Sequence, residues 1–138
     1  MYDLSQLDKF IRLRRVTQSR ALREYNFTPN EVDVLLSLAE EPEYDTVSGI
    51  SRRREISRSL VCRSVEDLAK RGYLIQEPDP VDHRYIHLKL SEKAAPAVQK
   101  LNEEQARLNQ SFLKDIPETE LNIFERVLAM MMKNACAD

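Results

Sequence analysis

The chain has 138 residues, of which 42% are hydrophobic and 32% charged, and its formal net charge is −2 at pH 7. This is the composition of a folded globular protein with room for one core, or for one subunit of an oligomer. Two cysteines, Cys62 and Cys136, exclude a disulfide framework, and the lack of any run of about 18 apolar residues excludes a transmembrane helix.

Leu4, Leu7 and Ile11 recur at helical spacing, and Phe10, Leu13 and Ala21 widen the stripe, so a long first helix is predicted to about Tyr25. Thr28-Pro29-Asn30-Glu31 reads as a helix start, with Thr28 as N-cap, Pro29 in the first position and Glu31 closing a capping box. Val32, Leu35, Leu36 and Ala39 follow on one face. Val34 and Leu38 make the other face apolar, so this helix should be deeply buried before Pro42 ends it. Thr46 or Ser48 can open a third helix with Ile50 inward. Ser57 or Ser59 can open a fourth with Val61, Val65 and Leu68 inward, closed by Lys70-Arg71-Gly72. Tyr73 to Gln76 reads as extended and Glu77 to Asp82 as a turn. Ile86, Leu88 and Leu90 alternate with Tyr85, His87 and Lys89, a strand with one buried face, so the segment is a β-hairpin. Ser91 is the expected cap of a long helix carrying Val98, Leu101, Leu108 and Phe112, with Pro96 imposing a kink or a late start. Pro117 opens the last helix, whose stripe is Leu121, Phe124, Leu128 and Met131.

Two short helices joined by a tight turn and followed directly by a hairpin make a winged helix-turn-helix. The fold class is therefore mainly α (α+β), with the winged part at 29–90 and long N- and C-terminal dimerisation helices at 1–25 and 92–136 of a single domain, 1–138. One subunit has limited means to cover such wide apolar stripes, which favours a two-fold dimer. The charge distribution agrees with a nucleic-acid partner: residues 45–90 carry +2 between flanks of −2 each. Arg52, Arg53, Arg54, Arg58 and Arg63 are opposed only by Glu55. The side of the fourth helix away from its core stripe shows Arg58, Ser59, Cys62 and Arg63, suited to phosphates and base edges. Double-stranded DNA is thus the expected partner, contacted through Arg52, Arg53, Ser57, Arg58, Ser59, Cys62 and Arg63.

The stretch from Ser57 to Leu74, ending Leu68-Ala69-Lys70-Arg71-Gly72, resembles the recognition helix of the MarR family of bacterial winged-helix regulators. Glu77-Pro78-Asp79-Pro80-Val81-Asp82-His83-Arg84 is similar to that family's wing, including the Asp-x-Arg signature, and Leu90-Ser91-Glu92-Lys93 to the junction that follows. The chain departs from the family pattern at Glu55, where glycine is usual, at Arg54 and Ser64, which stand at apolar positions, and at Ala94 and Pro96. The resemblance implies a homodimer on a pseudo-palindromic operator, with recognition helices in successive major grooves. It also implies Arg84 reaching a minor groove, Asp82 orienting the wing, and His83, Tyr85 and His87 near phosphates. It further implies a regulator, more often a repressor, released by a small-molecule or oxidant signal. A small aromatic or anionic ligand would then bind near Arg12, Arg15, Tyr25 or Tyr44.

Other chemistry finds little support. His83 and His87 lie on a hairpin with no Cys or carboxylate cluster, so no metal site is expected. Cys62, beside Arg58 and Arg63 near a helix start, is the one residue suited to thiol chemistry. Nucleotide-binding, HExxH and CxxC motifs are absent and no nucleophile has a base at a justifiable spacing, so neither a cofactor nor an enzyme is expected. The start Met1-Tyr2-Asp3-Leu4 lacks the features of a signal peptide, and with two cysteines points to the cytoplasm and away from membranes. The alternative is a winged-helix dimer serving as a protein-interaction adaptor with weak or no DNA binding.

Overall fold

The computed structural model describes residues 1–20 and 23–137, the side chains of Ser19 and Arg20 excepted. Ala21, placed above on the first apolar stripe, and the Arg20 guanidinium lie outside the described residues. The elements are α1 (Ser5–Arg20), a 3-10 turn (Arg23–Tyr25), α2 (Pro29–Glu40), α3 (Val47–Arg54), α4 (Arg58–Lys70), β1 (Leu74–Pro78), β2 (Ile86–Leu90), α5 (Ala94–Phe112) and α6 (Glu118–Ala135). Tyr25, the expected end of the first helix, lies in the 3-10 turn and not in α-helix. The described chain forms two compact units, 1–106 and 107–138.

In the first unit, α2 is the buried centre. Its capping box is complete: the Thr28 hydroxyl accepts from the Glu31 N–H at 3.2 Å, and the Glu31 carboxylate accepts from the Thr28 N–H at 3.3 Å. Val32, Val34, Leu35, Leu36 and Leu38 are all buried, so both faces of the helix are covered. Ile50 of α3 and Val61, Val65 and Leu68 of α4 join the same core. Thr46 caps α3 and Ser57 caps α4, each accepting a backbone N–H from three residues on. The helix-turn-helix turn closes through Glu55, which sits left-handed at φ 54°, ψ 46° as the C-cap of α3. That backbone geometry is where the family pattern has glycine, and Glu55 adopts it at a steric cost. Gly72, at φ 84°, performs the same task after α4 without that cost.

Arg71 then fixes the end of α4. Its guanidinium donates to the carbonyls of Tyr25 and Asn26, lies 3.3 Å from Glu31, and stacks 5.0 Å from the Phe27 ring centroid and 5.4 Å from that of Tyr73. The C-terminus of α4 is thereby tied to the start of α2 and the turn before it.

The hairpin pairs Leu74 with Leu90, Gln76 with Leu88 and Pro78 with Ile86. Leu88 is its buried anchor, and its N–H donates to the Asp45 carbonyl at 2.7 Å. The buried face is narrower than the alternation implied, because Leu90 is half-buried and Ile86 exposed. Ser91 does not cap α5 as expected. Its hydroxyl donates to the Gly72 carbonyl, and α5 begins three residues later at Ala94. Pro96 then falls in the first turn, where its missing N–H would have no intrahelical partner in any case. Leu101 is buried in this unit and Val98 half-buried.

The second unit holds the end of α5 and α6. Leu108 is buried and Phe112 half-buried. On α6 only Leu121 and Met131 of the expected stripe are half-buried, while Ile123, Phe124, Val127, Leu128, Met130 and Met132 are exposed. Leu4, Ile11, Leu13 and Val16 on or beside α1 are exposed as well. Among the described residues no helix is long and apolar enough to cross a membrane.

Candidate nucleic-acid interface

The buried stripe of α4 turns its other side to solvent: Arg58, Ser59, Cys62, Arg63 and Glu66 are all exposed. Ser57 is exposed too, but its hydroxyl is occupied in accepting the Leu60 N–H as the cap. Among the described residues, Arg52, Arg58 and Arg63 form no hydrogen bond or ion pair through their side chains. Arg53 is different. It pairs with Glu41, and its guanidinium lies 4.8 Å over the Tyr44 ring. Arg54 pairs with Glu40 at 3.0 Å. Two members of the arginine run therefore turn back onto the end of α2 and the loop after it.

The hairpin brings the wing beside α4. Arg58, Cys62, Arg84, Tyr85 and the α3 cap Thr46 line one groove of about 260 Å³. Arg63 lies on the other flank of α4, in a groove shared with Asn26, Asn30 and Asp67. His83 and Arg84 are exposed at the wing tip, Arg84 by 85% of its side chain. The Asp82 carboxylate accepts the Arg84 backbone N–H at 3.1 Å and its guanidinium at 3.0 and 2.7 Å. The same contacts hold the Asp82 carboxyl below the usual carboxylate range and raise the Arg84 guanidinium further. His87 is not free to reach a phosphate, because both its ring nitrogens are against carboxylates, Asp45 and Asp79. Among the described residues no group of three or more His, Cys, Asp or Glu is arranged to hold a metal.

A second feature lies between α1, α2 and the α3 end. A cavity of about 300 Å³ is lined by Ile11, Arg14, Arg15, Gln18, Asp33, Leu36, Arg54 and Gln105 among others. Gln18 is 9% exposed and its Nε2 is buried with no partner, as is Arg54 Nε. Arg15 is engaged by Asn30 and by Asp33. Of the four ligand candidates named from sequence, only Arg15 lines this cavity. Arg12 does not, Tyr25 stacks on Phe27 with centroids 5.5 Å apart, and Tyr44 lies under Arg53. Arg14, Gln18 and Arg54 line it as well, and Arg14 and Gln18 stand four apart on the same helix, a spacing that places them on one face.

Residues 25–84 match the model of the MarR family. Over nearly its whole length the chain is similar to solved structures. It shares 21% identity with transcriptional regulator PA3341, covering 99% of this chain and 100% of that one at a TM-score of 0.89. A MarR protein from Peptoclostridium difficile shares 18%, with 96% and 86% covered and a TM-score of 0.86. The PcaV transcriptional regulator from Streptomyces coelicolor, solved in complex with its natural ligand, shares 26% with 98% of each chain covered and a TM-score of 0.68.

Proposed function

We propose that this chain, whose winged-helix residues 25–84 match the model of the MarR family, is a member of that family and a dimeric, sequence-specific DNA-binding transcriptional regulator. The observation that carries the reading is the outward face of α4, where Ser59 and the unpaired Arg58 and Arg63 are exposed and Arg58 shares a groove with the exposed wing arginine. An α-helix of this size fits the major groove, and an arginine there can pair with guanine O6 and N7. Arg84 is the minor-groove contact, with Asp82 orienting it, and Arg52, His83 and Tyr85 stand toward phosphates. Exposed apolar side chains on α1 and α6 support a second copy as the partner that covers them.

The regulator acts as a cytoplasmic repressor released by a signal. A small aromatic or anionic ligand would sit against Arg14, Gln18 and Arg54 in the 300 Å³ cavity, whose buried, unpartnered nitrogens await an acceptor. An oxidant would instead act at Cys62, exposed in the groove with Arg58 and Arg84.

Selection from random duplexes tests the reading. Enrichment of a pseudo-palindrome, bound by a species of twice the chain mass and weakened by Arg63→Ala and Arg84→Ala, is the expected result. A monomer in solution, or no enriched sequence, refutes it. Aromatic carboxylates should lower operator affinity for the wild type and not for Arg14→Ala. Peroxide should abolish binding only while Cys62 is present, so a Cys62→Ser protein that responds unchanged rules out the oxidant route.

A further inference from the structure

The wing arginine is held by more than its own carboxylate. His87, on β2, places Nδ1 3.0 Å from Asp45 Oδ2 and Nε2 2.7 Å from Asp79 Oδ2. The other Asp79 oxygen accepts the backbone N–H groups of Val81 and Asp82, each at 2.9 Å. The Asp79 N–H closes the turn onto the Tyr85 carbonyl at 2.8 Å. Asp82 then holds Arg84. A continuous chain of contacts thus runs from Asp45, just before α3, to the guanidinium at the wing tip.

Resting on the reading that Arg84 enters a minor groove, we propose that Asp45, His87 and Asp79 are positioning residues that fix the wing turn and so hold Arg84 ready for DNA. A neutral imidazole has one N–H and one lone pair, and can donate to only one of the two carboxylates. The imidazolium donates to both. Asp79 and then Asp45 strengthen the ring's hold on its proton, and His87 in turn keeps the Asp79 carboxyl down at about 2. Two other charges stand close: Glu77, directly across the ladder from His87, favours the cation, and Lys89, two residues along the same face of β2, opposes it. Once the ring loses its proton, a lone pair faces a carboxylate. One contact of the clasp opens, and the turn that carries Arg84 loosens while the core stays folded.

Two measurements test this. In the free protein, NMR follows the His87 ring between pH 6 and 9 together with amide-exchange protection of Val81 and Asp82. Protection should fall in step with loss of the ring proton. On a selected operator, wild-type affinity should drop about threefold to fivefold across the same titration, the size of an exposed ion-pair network. His87→Gln should bind at the level of the deprotonated wild type at every pH, and Arg84→Ala, weak throughout, should lack the step. Melting curves at each pH separate the effect from unfolding. Titration of His87 without a change at Val81 and Asp82, or an unaltered pH step in Arg84→Ala, overturns the proposal. Failure of the wild type to bind any duplex would count against the DNA reading alone, since the amide-exchange arm still decides the clasp.

Discussion

The salt dependence of DNA binding follows from which arginines are already spoken for. Of the seven between residues 45 and 90, Arg71 is locked onto Glu31 at the end of α4; of the other six, Arg53, Arg54 and Arg84 hold Glu41, Glu40 and Asp82, while Arg52, Arg58 and Arg63 hold no acid among the described residues. A guanidinium neutralised within its own chain displaces few counterions from DNA; a free one displaces nearly one each. Arg84 is exposed enough to exchange Asp82 for a phosphate, so each protomer offers three or four cations. The proposed dimer would then neutralise about six to eight phosphates, and log K should fall with log salt at a slope of about −5 to −7. Between 50 and 200 mM salt that is a loss of about 10³ to 10⁴ in affinity. If all six arginines acted, the slope would be near −11. Arg58→Ala should make the slope shallower by about 2, and Arg53→Ala by less than about 0.5. Fluorescence anisotropy of a labelled operator, titrated at several potassium chloride concentrations and one pH, reads both. A wild-type slope near −11, or equal effects of the two substitutions, would refute the assignment.

Three further outcomes follow from the fold. Glu55→Gly should raise unfolding free energy by about 0.5–1 kcal/mol in urea titrations, because it relieves a left-handed residue with a Cβ; no gain would mean that the Glu55 side chain contributes more than its backbone costs. Leu68→Ala, at a site with no solvent exposure, should cost about 3 kcal/mol and lower the melting temperature by several degrees, and a loss under 1 kcal/mol would contradict its place in the core. The clasp should contribute to stability within a pH window. The raised His87 keeps its contribution whole below about 6.5 and loses it as pH rises through its folded value; the lowered Asp79 keeps its contribution above 3.8 and loses it as pH falls toward about 2. The melting difference between wild type and His87→Gln should therefore be largest near pH 5 and shrink in both directions, and a difference independent of pH would exclude the ionised clasp.

The features legible in the sequence were those set by neighbours in the chain. The capping box at Thr28–Glu31, the inward residues of α4, Gly72 and the Asp82–Arg84 pair are each fixed within about one turn, so spacing alone reveals them. What escaped depends on contacts that spacing does not encode. Arg53 and Arg54 meet acids 12 and 14 residues earlier, and His87 meets Asp45 across 42. The Ser91 hydroxyl chose the Gly72 carbonyl over the start of α5, because the hairpin carries it there. The cavity around Gln18 was hidden for the same reason: its lining comes from α1, α2, the end of α3 and α5.

The Arg71 staple has a mechanical corollary. A recognition element bolted at its far end to the turn before α2, and packed along its length on α2 and α3, has no freedom to swivel alone. In the dimer proposed above, a message to the double helix would then travel as bodily rotation of the entire winged block, altering the span between two reading heads and leaving the internal geometry of each unchanged.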